Sequence, residues 1–166
     1  MKEVIAQLFS NPDASVYAVL DGASVKMNLP VLLKDLKVQN MCLYRGQLEP
    51  DLAARAPYLV KLQRNSELLE LWMNEGKNKN WGIFATSYAS FKIMRKHFRN
   101  LLKVKNSEGK ILYFRYYDPR VLKSFLPTCD DKEIDYLHNA VLNYFIESDK
   151  ENELLSFNKL KLKWSK

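Results

Sequence analysis

Few side chains in the sequence have the type and spacing that catalysis or metal binding requires. His97 and His138 are the only histidines, and neither belongs to a paired metal-binding motif such as HExxH. Cys42 and Cys129 have no CxxC partner, and we expect both to be reduced thiols. The five glycines never cluster, which excludes a phosphate-binding loop and a dinucleotide fingerprint, and no GxSxG nucleophile elbow occurs. We therefore expect no enzyme, with no catalytic residue, no metal and no cofactor. A hydrolase built on acids that are distant in the sequence stays open as an alternative.

The densest run of aromatic and charged residues is Tyr113-Phe-Arg-Tyr-Tyr-Asp-Pro-Arg120, and it permits two interpretations. Nucleic-acid-binding modules stack bases on aromatic rings and pair phosphates with guanidinium groups. In the architectural interpretation, the run begins as a strand whose alternate residues face opposite sides. Asp118 then caps a helix, and Pro119 occupies the first helical position, where no backbone N–H is needed. Arg120 can pair with Asp118 or with a distant carboxylate, while Arg115 still requires a partner that accepts its planar fork.

The net charge of +7 is distributed unevenly along the chain. Residues 91–123 carry ten basic and two acidic side chains, whereas residues 124–156 carry two basic and eight acidic ones. The positive charge permits binding to nucleic acid, because lysine and arginine neutralise phosphates. The alternating sign fits equally well a surface that steers a charged protein partner. A nucleic-acid-binding module that uses the basic segment 92–123 is therefore an alternative function.

The hydrophobic pattern predicts alternating short strands and helices without repeats or low-complexity tracts. This pattern is typical of a mixed α/β (α+β) fold with a small central sheet flanked by helices. The predicted strands lie at 15–20, 41–44, 56–60 and 81–86, and two hairpins are predicted, one of 102–105 with 111–117 across the turn 106–109, the other of 141–146 with 154–164 across the turn 148–152. The predicted helices lie at 4–9, 29–38, 66–73, 88–103, 119–125 and 132–139.

The chain length of 166 residues fits one domain of ordinary size. We predict a core domain at 1–128 and, at 129–166, a more variable C-terminal helical and hairpin extension that packs on the same domain. No stretch approaches the ~20 apolar residues that cross a bilayer, and the first ten residues lack the apolar region of a signal peptide. We therefore expect no membrane contact and a cytoplasmic location.

The predicted helix at 88–103 separates its residues by angle around the helix axis. The residues of one arc are apolar, namely Phe91, Met94, Phe98, Leu101 and Leu102. The residues of the adjacent arc are basic, namely Lys92, Arg95, Lys96, Arg99 and Lys103. The basic arc is either a solvated face whose aliphatic stems cover the core edge or a docking surface for an acidic partner. His97 lies beside the apolar arc, where we expect a hydrogen-bonded boundary residue.

Several short motifs occur in a fixed order along the chain. They are Val16-Tyr-Ala-Val-Leu-Asp-Gly-Ala23, Leu43-Tyr-Arg-Gly46, Ala56-Pro-Tyr-Leu-Val60, Trp81-Gly-Ile83, His97-Phe-Arg-Asn-Leu-Leu102, Gly109 and Phe114-Arg-Tyr-Tyr-Asp-Pro-Arg-Val-Leu122. In this order the motifs resemble the family of type VI secretion adaptor proteins, also called effector chaperones. The resemblance extends from about Val16 to Leu126, and the last motif is its most specific part.

The resemblance implies a non-enzymatic role in Gram-negative bacteria. Such adaptors bind a toxic effector in the cytoplasm, often through the effector's N-terminal region, and help to load it onto the VgrG spike. Neither a nucleic acid nor a membrane is an expected partner. The motif positions that we carry over as candidate partner-binding residues are Tyr58, His97, Arg99, Arg115, Tyr117, Asp118 and Arg120. The tail after about residue 132 matches no pattern, and we hypothesise that it selects the partner.

Overall fold

The computed structural model describes residues 2–105, 108–148, 150 and 153–164. Its strands are β1 (Ser15–Asp21), β2 (Asn40–Cys42), β3 (Pro57–Leu62), β4 (Gly82–Ser87), β5 (Lys103–Lys105), β6 (Ile111–Tyr113), β7 (Asn143–Glu147) and β8 (Leu154–Asn158). In the described part of the chain, six strands form one sheet in the order β2-β3-β1-β4-β7-β8, and every neighbouring pair is antiparallel. The strands β5 and β6 form a separate two-stranded sheet.

The central strand β1 is buried on both faces of the sheet. Val19 lies between Leu59 of β3 and Ile83 of β4 in the pairing register. Tyr17 and Val19 belong to the apolar core on one face of the sheet, while alternate residues such as Ala18 belong to the core on the other face. Because both faces are covered, the strand is a continuous apolar run rather than an alternation of apolar and polar residues.

Helices cover both faces of the sheet. The first face packs against α6 (Phe91–Leu101), α7 (Pro119–Phe125), α8 (Asp131–Leu137) and α9 (Lys159–Trp164). The opposite face packs against α1 (Lys2–Leu8), α2 (Gly22–Val25), α3 (Leu29–Asp35) and α5 (Glu67–Leu71), and α5 continues into a π-helical turn at Trp72–Gly76. The short helix α4 (Pro50–Arg55) buries none of its residues, and a 3-10 turn at Leu126–Thr128 follows α7. The predicted mixed α+β class, with a sheet between helices, is confirmed.

Several predicted elements differ from the observed ones in the residues at which they begin or end. The strand expected at 111–117 ends at Tyr113, because Tyr116 turns into the core and donates its hydroxyl to the Phe98 carbonyl at 2.8 Å. The helix expected from residue 88 begins at Phe91, because the Ser87 hydroxyl accepts from the Ala89 N–H and holds a turn. The last strand, expected at 154–164, ends at Asn158 and is followed by α9.

The hairpin strands after residue 140 extend the central sheet. Phe145 of β7 pairs with Phe84 of β4, and Ser156 of β8 pairs with Phe145 on the outer side. The range 129–166 therefore shares one sheet with the range 1–128, while the variability of its sequence stays a prediction. Residues 106, 107, 149, 151 and 152 of the two predicted turns lie outside the described residues. None of the described helices combines the length and the apolarity that a membrane span needs.

Gly22 allows the ends of β1 and β3 to approach each other. Its N–H donates to the Ala56 carbonyl at 3.2 Å. A Cβ at this position would collide with the backbone oxygen of Ala54 and would lie 2.7 Å from that of Ala56. Because these are backbone atoms, no side-chain rotation relieves the collision.

We predict that Gly22→Ala lowers the free energy of unfolding by about 3 kcal/mol, at the upper end of what overpacking costs. Urea unfolding followed by tryptophan fluorescence measures the loss. Gly46→Ala is the control, because a Cβ there meets nothing within 4 Å and suffers only from the positive φ of 85°. That backbone strain costs roughly 1–2 kcal/mol. A loss at Gly22 no larger than the loss at Gly46 would contradict the close approach.

Candidate functional site

A buried carboxylate at the end of the central strand organises one end of the sheet. Asp21 is 1% exposed and is the last residue of β1. Its carboxylate accepts from the Ala23 N–H at 3.2 Å and the Ser24 hydroxyl at 2.8 Å, and so caps α2. Nη2 of Arg115 donates a hydrogen bond to the same carboxylate at 2.7 Å. The partner that the Arg115 guanidinium requires is therefore Asp21, which lies 94 residues earlier in the chain.

A second buried aspartate lies three residues after Arg115. Asp118 caps α7 by accepting from the Arg120 backbone N–H at 3.0 Å, and Pro119 follows as the first helical residue, as predicted. The Arg120 side chain also binds this carboxylate through Nε at 3.0 Å and Nη2 at 2.7 Å. Burial opposes ionisation of Asp118, but the bonds from Arg120 outweigh it and hold the pKa below its usual range.

An aromatic group connects the Asp21–Arg115 pair to the loop after β2. The Arg115 guanidinium lies 5.9 Å from the centre of the Tyr117 ring. Burial raises the pKa of Tyr117, and its interaction with Tyr44 raises it further. The Tyr44 ring in turn meets the Tyr113 ring edge-on, with 6.2 Å between their centres.

Arg99 of α6 holds the same loop from the other side. Its Nη2 donates to the Cys42 carbonyl at 2.8 Å and to the Tyr44 carbonyl at 3.2 Å. Tyr58 of β3 pairs with Cys42 in the sheet register. Burial raises the pKa of Tyr58 to about 12, and the interaction with Cys42 contributes. The side chains of Tyr58, Arg99 and Tyr117 therefore all support the segment from Cys42 to Tyr44.

His97 lies apart from this group, in the core between α6, α8 and β7. Its Nε2 is 3.3 Å from the Tyr144 hydroxyl, which donates to the Leu137 carbonyl at 2.6 Å. Burial lowers the pKa of His97 to about 4, so the ring is neutral at physiological pH. The hydrogen bond agrees with the expected boundary residue, although the side chain is buried with the apolar arc.

The residues predicted to bind a partner differ in how far their side chains are exposed to solvent. Tyr58, His97, Tyr117 and Asp118 are buried, so they reach a partner only if the surface above them opens. The Arg115 side chain is 49% exposed and that of Arg120 is 67% exposed, but both guanidiniums already bind a buried carboxylate. Arg99 is half-buried and faces a groove. Contact of these residues with a partner stays a prediction, while their contacts within the fold are observed.

The groove lies above the segment that Arg99, Tyr58 and Tyr117 support. Its volume is about 890 Å³. Three apolar side chains along it are largely exposed, namely Leu52 (48%), Tyr113 (66%) and Tyr136 (53%). The remaining lining residues are Leu43, Tyr44, Arg45, Leu48, Arg99, Asn100, Leu102 and Lys103.

Three groove residues were not predicted from the sequence, namely Leu48, Leu52 and Tyr136. Pro50 occupies the first turn of α4, and Leu48 and Leu52 flank it at a spacing of four. A proline at a helix start is a recognisable signal, and it could have identified α4. No comparable signal exists for Tyr136, because its position beside the groove depends on how α8 packs. In the described part of the chain, no cluster of three or more His, Cys, Asp or Glu side chains could hold a metal ion.

Almost all residues of this site lie in the part of the chain that matches a known protein family. The model of a family described as a domain of unknown function (DUF4123) matches residues 16–136 of the 166, which is more than two thirds of the chain. No curated protein and no solved structure matches the chain. The matched range includes Asp21, Arg99, Arg115 and Tyr136.

We predict that wild-type stability falls between pH 6.5 and about 4, the window set by the lowered pKa of His97. The unfolded state binds a proton that the folded state excludes, so the contribution is complete above pH 6.5 and is lost on acidification. Its size is roughly 3 kcal/mol. Urea unfolding across this pH range measures the slope.

The substitution His97→Gln should reduce the slope of the unfolding free energy against pH. His138 is the internal comparison, because burial lowers its pKa as well and His138→Gln should remove a separate part. An unchanged slope in His97→Gln would show that residue 97 is not buried in the neutral form.

Proposed function

The chain belongs to the DUF4123 domain family, and from this premise we propose that it is a non-enzymatic adaptor of type VI secretion. It binds a toxic effector in the cytoplasm and helps to load that effector onto the VgrG spike. The motifs that carry the resemblance to such adaptors run from Val16 to Leu122, inside the matched residues 16–136. The family description itself names no activity, so the role of the chain rests on the resemblance and on the site.

The main support for the proposal is that residues of several motifs hold the segments that form one open groove. Arg115 binds the end of β1, Tyr117 reaches Tyr44, and Arg99 holds the carbonyls of Cys42 and Tyr44. These contacts fix backbone and rings, and they leave Tyr113 exposed along the groove. A fixed surface of this kind lowers the ordering cost of binding a polypeptide.

The composition of the groove suits a protein partner. Tyrosine, arginine and exposed leucine together match the centre of protein interfaces, where aromatic and arginine anchors contribute most of the binding energy. Tyr136 lies after residue 132, at the end of the matched residues 16–136, and it forms part of the groove. This position supports our hypothesis that the tail takes part in choosing the effector.

The nucleic-acid alternative has no specific observation in its favour. The basic segment 92–123 spans α6, the β5–β6 hairpin and α7. Within it, Arg99 binds backbone carbonyls, and Arg115 and Arg120 bind carboxylates. The charges of Arg115 and Arg120 are therefore neutralised within the fold rather than presented to phosphates. Binding to nucleic acid stays an untested prediction.

The test is a gene deletion in the bacterium that encodes the chain. We predict that deletion abolishes release of one effector while the VgrG spike is still released, because only the loading of that effector fails. Immunoblots of culture medium for effector and spike measure this. Restored release with the wild-type gene is the control for the deletion. Release of every effector at the wild-type level without the chain would contradict the adaptor role.

A matched pair of double variants tests whether the groove is the binding site. Leu52→Ala with Tyr113→Ala removes two exposed groove side chains, and Val31→Ala with Tyr88→Ala removes two outside it. The pairs are matched in exposure, at 48% and 66% against 51% and 66%. Only the groove pair should fail to restore release. If both pairs restore it, the adaptor role stands and the site lies elsewhere.

A further inference from the structure

Every charged side chain that lines the groove is basic. They are Arg45, Arg99 and Lys103. In the described part of the chain none of the three forms an ion pair with a carboxylate. The groove therefore carries positive charge that the described fold does not neutralise, in contrast to Arg115 and Arg120.

Arg99 lies close enough to two other arginines, Arg95 and Arg45, to be repelled by both. Its terminal nitrogen donates to two neutral carbonyls, and its buried Nε has no acceptor among the described residues. Burial lowers the pKa of Arg99, and repulsion from Arg95 and Arg45 lowers it further. A carboxylate entering the groove would relieve that repulsion, and less so at high salt.

The apolar walls of the groove are already positioned. Tyr113 contacts the Tyr44 ring, and Lys103 Nζ lies 5.9 Å from the Tyr113 ring centre. Leu52 belongs to α4, a helix that buries none of its residues in the described structure. These side chains remain exposed along the groove, so bulky apolar groups entering it would remove apolar surface from water.

We infer that the groove binds an acidic segment of the effector, with carboxylates placed among bulky apolar side chains. This inference rests on the proposed adaptor function and specifies the partner chemistry of its site. The carboxylates face Arg45, Arg99 and Lys103, and the apolar side chains pack against the leucines and tyrosines. A groove of about 890 Å³ has the size of pockets that enclose drug-sized ligands, so it accommodates several side chains.

The leucines of the groove favour a polypeptide over a nucleic acid. Leu43, Leu48, Leu52 and Leu102 all line the groove. A single nucleic-acid strand gains affinity mainly from many phosphate contacts and from stacking on flat rings. Leucines offer neither, whereas they pack well against apolar side chains of a peptide. We therefore assign the positive charge to carboxylate recognition.

The first experiment selects binders for the whole chain from a phage library of random dodecapeptides. We expect the enriched sequences to combine Asp or Glu with Leu, Phe or Tyr. The best peptide and its Asp→Asn, Glu→Gln version are then titrated by fluorescence anisotropy. The acidic peptide should bind at least about tenfold more tightly, which corresponds to one well-placed charge contact or more. The advantage should shrink as salt rises, because the cations are exposed to solvent.

Charge-reversal variants of the groove test the inference more stringently than the peptide selection. Arg45→Glu with Lys103→Glu should weaken binding of the acidic peptide by about tenfold or more and should favour a version with Lys in place of each acid. Lys92→Glu with Lys96→Glu is the matched control, because these exposed residues of α6 change the net charge equally but lie outside the groove. The control should bind the acidic peptide as wild type does.

Enriched peptides without acids, or equal loss in both reversal variants, would overturn the inference. Displacement of the acidic peptide by oligothymidylate at equal concentration would assign the groove to nucleic acid instead. A dimer in sedimentation that Arg45→Glu with Lys103→Glu dissolves would assign it to a second copy of the chain. If any of these results occurs while the deletion still abolishes effector release, the adaptor role survives and only the groove chemistry is wrong.

Discussion

The structure depends on satisfying one buried carboxylate at the end of the central strand. Asp21 is 1% exposed, and an ionised group in that position is costly unless charged and hydrogen-bonding partners surround it. The start of α2 supplies two donors and Arg115 supplies the charge. Because Arg115 lies 94 residues further along, this bond fixes the segment after β6 against the sheet. The path of the chain beside the groove follows from that bond.

The shape of the groove depends on the position that the Asp21–Arg115 bond gives to the neighbouring segments. Tyr117 lies beside Arg115 and reaches Tyr44, while Arg99 binds the same loop through two carbonyls. The loop after β2 is therefore held from two directions, and the hairpin places Tyr113 against it. Buried polar groups position the surface, and exposed aromatic, aliphatic and basic groups form it. Under the proposed function, the buried residues of the motif set serve binding indirectly, because they position the exposed groups.

Local features of this fold follow from the sequence, and long-range ones do not. The Asp118-Pro119 cap and the apolar arc of α6 depend on neighbours within a few residues, so both were predictable. The Asp21–Arg115 bond and the position of Tyr136 depend on sheet order and helix packing, which one sequence does not reveal. Tyr117 illustrates the limit: its motif membership was recognisable, but its burial was not.

The most direct measurement compares Arg115→Met with Arg120→Met, since each removes a guanidinium from a buried aspartate that caps a helix. Hydrogen–deuterium exchange of the whole chain, followed by titration with the acidic peptide selected from the phage library, tests whether the Asp21–Arg115 bond sustains the groove. We expect faster exchange at 43–48 and 111–117 and about tenfold weaker peptide binding in Arg115→Met only, with the central strands still protected. Equal exchange and equal affinity in both variants would contradict the account.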